Sequence, residues 1–230
     1  MNPIFYPMLA AHLIADFWLQ PRSWVMHKKN KGIKSSRLLL HAAIAAILPV
    51  LFTFQINLWW FIPVIFVTHL LIDFLKTKAK DTLFIFLVDQ VLHIGVLALL
   101  AVFGPQVVLK PEILTFWIYM CGFVLITSPL GILIGKTLNK LIPGKNKTTQ
   151  DTVSGWIGIL ERILILIFIV ANQFSAIGFL IAAKSVFRFN DAREDGNKKA
   201  EYFLLGTLLS FTLAIITGLI ISKLLLVLAL

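Results

Sequence analysis

Apolar windows of about 20 residues recur along most of this 230-residue chain, separated by short polar stretches. An α-helix rises about 1.5 Å per residue, so such a window matches the ~30 Å hydrocarbon core of a bilayer. The pattern predicts eight membrane spans, roughly 3–20, 37–55, 58–75, 83–103, 112–135, 155–172, 173–190 and 201–222. The expected fold class is all-α, a polytopic transmembrane helix bundle. It forms a single membrane domain over 1–230, with an N-terminal half at 1–103 and a C-terminal half at 112–230. Near Asn172-Gln173 the pattern also fits a re-entrant pair instead of two full spans. Pro129, between Ser128 and Gly131, predicts a kink in the fifth span, because proline removes a backbone donor.

Composition reinforces the pattern. Hydrophobic residues make up 59% of the chain, against about 45–50% in average soluble proteins. The mean hydropathy is +0.90, which leaves no room for a soluble domain beside the spans. The first apolar run carries His12, Asp16 and Gln20 with no small-residue cleavage site after it, so it reads as a retained span. The single cysteine, Cys121, cannot form an intrachain disulfide.

The net charge of +10 changes the picture through its placement. Basic residues gather at Arg22–Arg37, at Lys76, Lys78 and Lys80, at Lys136, Lys140, Lys145 and Lys147, and at Arg188, Arg193, Lys198 and Lys199. The intervening connections hold only Lys110. Basic short loops face the cytoplasm, so both termini are expected outside. The expected partner of this charge is the anionic leaflet rather than nucleic acid. Trp59 and Trp60 at an outer boundary, with Trp24 and Trp156 at inner ones, suit the headgroup interface.

Against this apolar background, ionisable residues inside the spans are the candidate chemistry. His12 and Asp16 lie four apart, as do His69 and Asp73, and Asp89 and His93 in reverse order. That spacing puts each pair on one helix face. His41 joins them from the second span. With alternating span directions, all seven fall at a similar depth in the cytoplasmic half. The two His-Leu-x-x-Asp-Phe segments also suggest a duplicated helical hairpin. Imidazole and carboxylate donors suit a divalent ion, zinc or manganese above others. His12, Asp16, His41, His69, Asp73, Asp89 and His93 are the candidate ligands, enough for two ions or for one ion with orienting carboxylates. The competing reading is polar glue between helices. Gln20 and Gln90 flank the pairs.

The C-terminal half supplies Glu161, Arg162, Lys184, Arg188 and Glu201. One reading makes them a wall opposite the metal that binds the anionic part of a substrate. The other makes them an internal ion-pair network. Nucleophile-elbow, P-loop and Cys-x-x-Cys motifs are missing from the sequence, so serine hydrolase, ATPase and disulfide chemistry find no support.

The motifs His12-x3-Asp16-Phe17-x-Leu19-Gln20, His69-x2-Ile72-Asp73-x2-Lys76 and Asp89-Gln90-x2-His93 resemble the signature of a bacterial integral-membrane family catalogued as a domain of unknown function. The segments Gly158–Arg162, Ala183–Phe189 and Glu201–Leu208 are similar to that family's C-terminal part. This resemblance implies the bacterial inner membrane but brings no activity with it. The His/Asp pattern is also loosely similar to inner-membrane metal-dependent hydrolases. The expected function is an intramembrane metal-dependent hydrolase acting from the cytoplasmic side on a phosphorylated or lipid-like substrate. Asp73 or Asp89 would serve as general base. The alternatives are an ion- or proton-coupled transporter or channel, and a non-catalytic scaffold.

Overall fold

The computed structural model describes residues 2–141, 152–195 and 197–228, with the side chains at 152–154, 187–200, 203 and 228 outside that description. Lys145 and Lys147 therefore lie outside the described residues, and Arg188, Arg193, Lys198 and Lys199 are placed by their backbone alone. Every regular element among the described residues is a helix. Four stretches are long and apolar enough to cross a membrane: Ser36–Thr53, Leu83–Phe103, Pro111–Leu141 and Leu204–Val227. The chain divides into two compact units, Met1–Val124 and Leu125–Leu230.

The first unit is built on α1 (Phe5–Phe17), α3 (Ser36–Thr53), α4 (Phe61–Lys78) and α5 (Leu83–Phe103). α3 packs against α1 and α4, and α5 packs against α4 and α1. The four helices close a ring, with α1 and α4, the two His-Leu-x-x-Asp-Phe helices, diagonally opposed. Local chemistry sets the ends. Ser35 accepts from the Leu38 N–H to cap α3, and Thr82 accepts from the Ile85 N–H to cap α5.

The basic stretch after α1 is not an open loop. Arg22–Lys31 forms α2, which ends where Gly32 takes a positive φ of 53°, a conformation glycine adopts without strain. α2 packs on α3 and α4.

Inside the ring, one inward stripe on each helix changes character along its length. On α1 it runs Phe5, Met8, His12, Asp16, and on α4 it runs Phe61, Ile65, His69, Asp73. On α5 it runs Asp89, His93, Leu97, Leu100. These are the three- and four-residue steps of a single helix face. One end of the bundle is thus an apolar core of Ile4, Phe5, Met8, Ala46, Val50, Leu58, Phe61, Ile65, Leu97, Leu100 and Ala101. The polar positions continue the same stripe below it.

The second unit contains α7 (Ser128–Leu141), α8 (Thr152–Val170), α9 (Phe174–Asp195) and α10 (Asn197–Leu228). α10 packs on α7, α8 and α9 around Ile165, Ile169, Ile177, Phe211 and Ala214. The helix α6 (Pro111–Ile126) is interrupted at Thr127 before α7 begins. Proline two residues on explains the break, since Pro129 cannot donate to the preceding turn.

Candidate functional site

The ring brings all seven sequence-selected His and Asp side chains into the first unit's interior. His12, His41, His69, Asp73, Asp89 and His93 are each 5% exposed or less, and the Asp16 side chain is 7% exposed. The imidazoles form a continuous group. Ring centroids are 4.1 Å apart for His69 and His93, 4.9 Å for His41 and His69, and 5.1 Å for His12 and His93.

The tightest set comes from three different helices. Asp16 Oδ1 lies 3.3 Å from His41 Nε2 and 3.6 Å from His69 Nε2. The two Nε2 atoms are 3.0 Å apart. Donor atoms about 2.0–2.1 Å from a tetrahedral ion stand about 3.3–3.4 Å from one another. The Asp16–His41–His69 triangle has that size. Asp73 Oδ2 approaches it at 3.7 Å from His41 Nε2 and 4.0 Å from His69 Nε2. Two further groups, His12–Asp16–His93 and His69–Asp73–His93, also offer donor atoms within 4.8 Å of one another.

Several of these atoms lack the partners burial ordinarily requires. Among the described residues, His12 Nε2, Asp16 Oδ1, His41 Nδ1, Asp89 Oδ1 and His93 Nε2 are buried without a hydrogen bond. Each such atom costs about 1–3 kcal/mol if left unmatched. Their concentration in one cluster therefore calls for an explanation. His93 Nδ1 is 2.8 Å from the Asp89 carbonyl. A carbonyl only accepts, so Nδ1 is the donor here, and in the neutral tautomer this fixes, Nε2 keeps a lone pair. That is the usual arrangement of a ligating imidazole.

Two lysines complete the site, and sequence reasoning missed both as members of it. Lys28 of α2 is 4% exposed and its ammonium donates to Asp73 Oδ2. Burial pushes the Lys28 amine down, and Asp73 opposes that shift. Lys76 Nζ donates to Asp89 Oδ2 at 2.5 Å, and the Gln90 amide donates to the same oxygen at 3.0 Å. Asp16 is different, because its ion-pair contacts among the described residues are histidines. Three carboxylates against two ammoniums, with the imidazoles left out of the count, leave one formal negative charge in the cluster. A buried charge of that kind needs a counter-ion.

Residues outside the cluster have surroundings of their own. Gln20 follows the end of α1 and is half-buried. His27 is half-buried and bonds Ser35 Oγ at 2.7 Å. In the second unit, Arg162 is 5% exposed. Its guanidinium donates Nε–H to the Ile126 carbonyl, Nη2–H to the Thr127 carbonyl at 3.0 Å, and Nη1–H to Ser210 Oγ at 3.3 Å. It therefore ties down the carbonyls at the α6–α7 break. Lys184 donates to Glu161 and its ammonium lies 5.1 Å from the Phe211 ring centre. This geometry is that of an internal network. Glu201 is exposed on α10, and the Arg188 side chain is outside the described ones.

Comparison with known proteins brings in the family. No curated protein matches the chain, and no solved structure does. One family model does, over residues 4–120, and its description is Protein of unknown function (DUF3307). The matched region holds α1, α3, α4 and α5, with every His and Asp of the cluster and both lysines. The second unit follows it. The ring and its buried His/Asp/Lys cluster thus coincide with the matched part of the chain, and the chain belongs to the DUF3307 family.

Proposed function

We propose that the chain is a metal-dependent hydrolase of the bacterial inner membrane, acting from the cytoplasmic side on a phosphorylated or lipid-like substrate. The observation that carries this reading is the Asp16–His41–His69 triangle, with sides of 3.0, 3.3 and 3.6 Å. Zinc and manganese suit its mixed imidazole and carboxylate donors. One divalent ion also converts the cluster's formal charge from minus one to plus one. Such an ion supplies a water of lowered pKa and polarises a phosphoryl or acyl oxygen.

The chain's own residues do the rest. Asp73 stands near the triangle and is held by Lys28, which keeps it oriented. It is placed to accept a proton. Asp89 orients His93 through its backbone carbonyl and is itself held by Lys76 and Gln90. The Lys76 side chain is 36% exposed, which makes it the cationic group an anionic substrate meets first. Arg162 and Lys184 are spent on partners of their own unit, so this reading does not use them.

The orientation belongs to the same proposal. Eight spans, with the four basic stretches in the cytoplasm and both termini outside, place the His/Asp layer in the cytoplasmic half. The four long apolar stretches support a membrane location.

Elemental analysis of detergent-purified protein tests the metal. One zinc or manganese per chain is expected, with affinity lowered at least about 10–100-fold in His69→Ala and Asp16→Ala. Substoichiometric metal that neither variant changes overturns the reading. Phosphatase and esterase assays in mixed micelles, with metal added back, then test hydrolysis.

A second reading draws on one contact. The 3.0 Å approach of His41 Nε2 to His69 Nε2 is also that of two imidazoles sharing a proton, as a proton-coupled transporter would need. Metal-independent proton flux in proteoliposomes, abolished by His41→Ala, would favour transport over hydrolysis.

A further inference from the structure

The triangle of Asp16, His41 and His69 leaves four buried atoms unused: His12 Nε2, His41 Nδ1, His93 Nε2 and Asp89 Oδ1. We propose that His12 and His93 hold a second divalent cation, that the Asp16 carboxylate bridges it to the first, and that the second ion binds together with a phosphate-class anion. This inference rests on the metal reading above and deepens it by naming the substrate class.

Geometry is the first support. His12, Asp16 and His93 each offer a donor atom within 4.8 Å of the others. The two rings are stacked neighbours, 24° apart with centroids at 5.1 Å. Asp16 belongs to this group and to the first triangle. A carboxylate has two oxygens and about four lone-pair directions, so one side chain can serve two ions. Paired ions in hydrolytic sites stand about 3.5–4 Å apart, a separation that one bridging carboxylate accommodates.

Chemistry is the second. His93 Nε2 presents a lone pair, because its Nδ1–H is committed to the Asp89 carbonyl. A lone pair in a buried site needs a donor or a cation. The small cavity beside it is lined by His12, Ala45, Ile65, Thr68, His69, His93, Val96 and Leu97. Its one hydroxyl, on Thr68, already donates to the Val64 carbonyl at 2.8 Å. A cation satisfies several imidazole and carboxylate lone pairs at once.

Charge supplies the anion. One divalent ion leaves the cluster at plus one, and a second takes it to plus three. In a low-dielectric interior that excess is strongly unfavourable without a counter-charge. A phosphate-class dianion returns it to the plus one of the single-ion state and can bridge two ions through its oxygens, as in-line displacement sites do. A neutral carboxylic ester provides no such balance. By linkage, the anion and the second ion must strengthen each other's binding by the same factor.

The test uses the full chain in detergent, dialysed against manganese chloride with and without inorganic phosphate, with manganese counted per chain. One ion is expected without phosphate and two with it, the second tightened by roughly tenfold or more. Low-temperature electron paramagnetic resonance should then show the lines of an exchange-coupled pair. His12→Gln and His93→Gln should hold a single ion in both conditions, with unchanged gel-filtration elution. If either variant fails to fold, the wild-type count and spectrum decide alone. A wild type that saturates at one ion in both conditions overturns the second site and leaves the metal reading standing. Two ions with an uncoupled spectrum overturn the shared Asp16. No ion at all overturns both.

Discussion

Lys28 and Asp73 are 45 positions apart in the chain, and they meet as a buried ion pair. The lysine comes from α2, and the aspartate from the middle of the ring. The contact therefore fastens a polar helix to a site inside the bundle. It also holds Asp73 short of the Asp16–His41–His69 triangle.

Breaking that pair from one side should be costly. Lys28→Met leaves an uncompensated buried carboxylate, for which about 3–5 kcal/mol is typical. Lys28→Met combined with Asp73→Asn removes the stranded charge and should recover much of the loss. Unfolding in detergent measured on the single and double variants checks this. Equal losses in Lys28→Met and in the double variant would show that a stranded Asp73 carboxylate is not the source of the loss.

Arg162 should behave as a structural clamp. It donates to two backbone carbonyls at the α6–α7 break and to Ser210. Hydrogen bonds from a charged donor are each worth about 1.5–3 kcal/mol. Arg162→Lys keeps the charge but loses the planar fork, so it should destabilise the protein by at least that amount. Metal content per folded chain should not change. A stable Arg162→Lys protein with reduced metal would contradict the clamp.

Gly218 marks the closest approach within the second unit. A Cβ built there would lie 2.6 Å from Ile169 Cδ1 and 3.3 Å from its Cβ and Cγ2. Gly218→Ala should therefore cost about 1–3 kcal/mol through overpacking. Ile169→Val removes the nearest atom, so Gly218→Ala with Ile169→Val should be less destabilised than Gly218→Ala by itself. Melting temperatures of the three variants in one detergent make the comparison.

The proposed orientation puts α2 in the cytoplasm. A cysteine replacing exposed Lys29, in a Cys121→Ala background, should resist a membrane-impermeant maleimide in intact spheroplasts and react after lysis. Labelling without lysis would reverse the orientation and place the His/Asp layer in the outer half.

Much of the site is legible in the amino-acid sequence, because helix geometry is periodic. His12 with Asp16, His69 with Asp73 and Asp89 with His93 each share a face by spacing alone, and an apolar surround makes ionisable residues conspicuous. The break near Pro129 is legible for a similar reason, since proline acts on its own backbone. Lys28 is not legible in this way. By composition it is one of several lysines in a basic stretch, and charge counting treats such residues alike. Only the packing of α2 on α3 and α4 turns Lys28 inward while Lys29 and Lys31 stay exposed. Arg162 and Lys184 illustrate the same limit. Their residue types suit an anion site or an internal network equally, and the choice depends on carbonyls at 126 and 127 and on Glu161. Periodicity determines which side chains share a face within one helix. Which faces meet, and which charges find partners, depends on helices distant in sequence, and that is decided by tertiary packing.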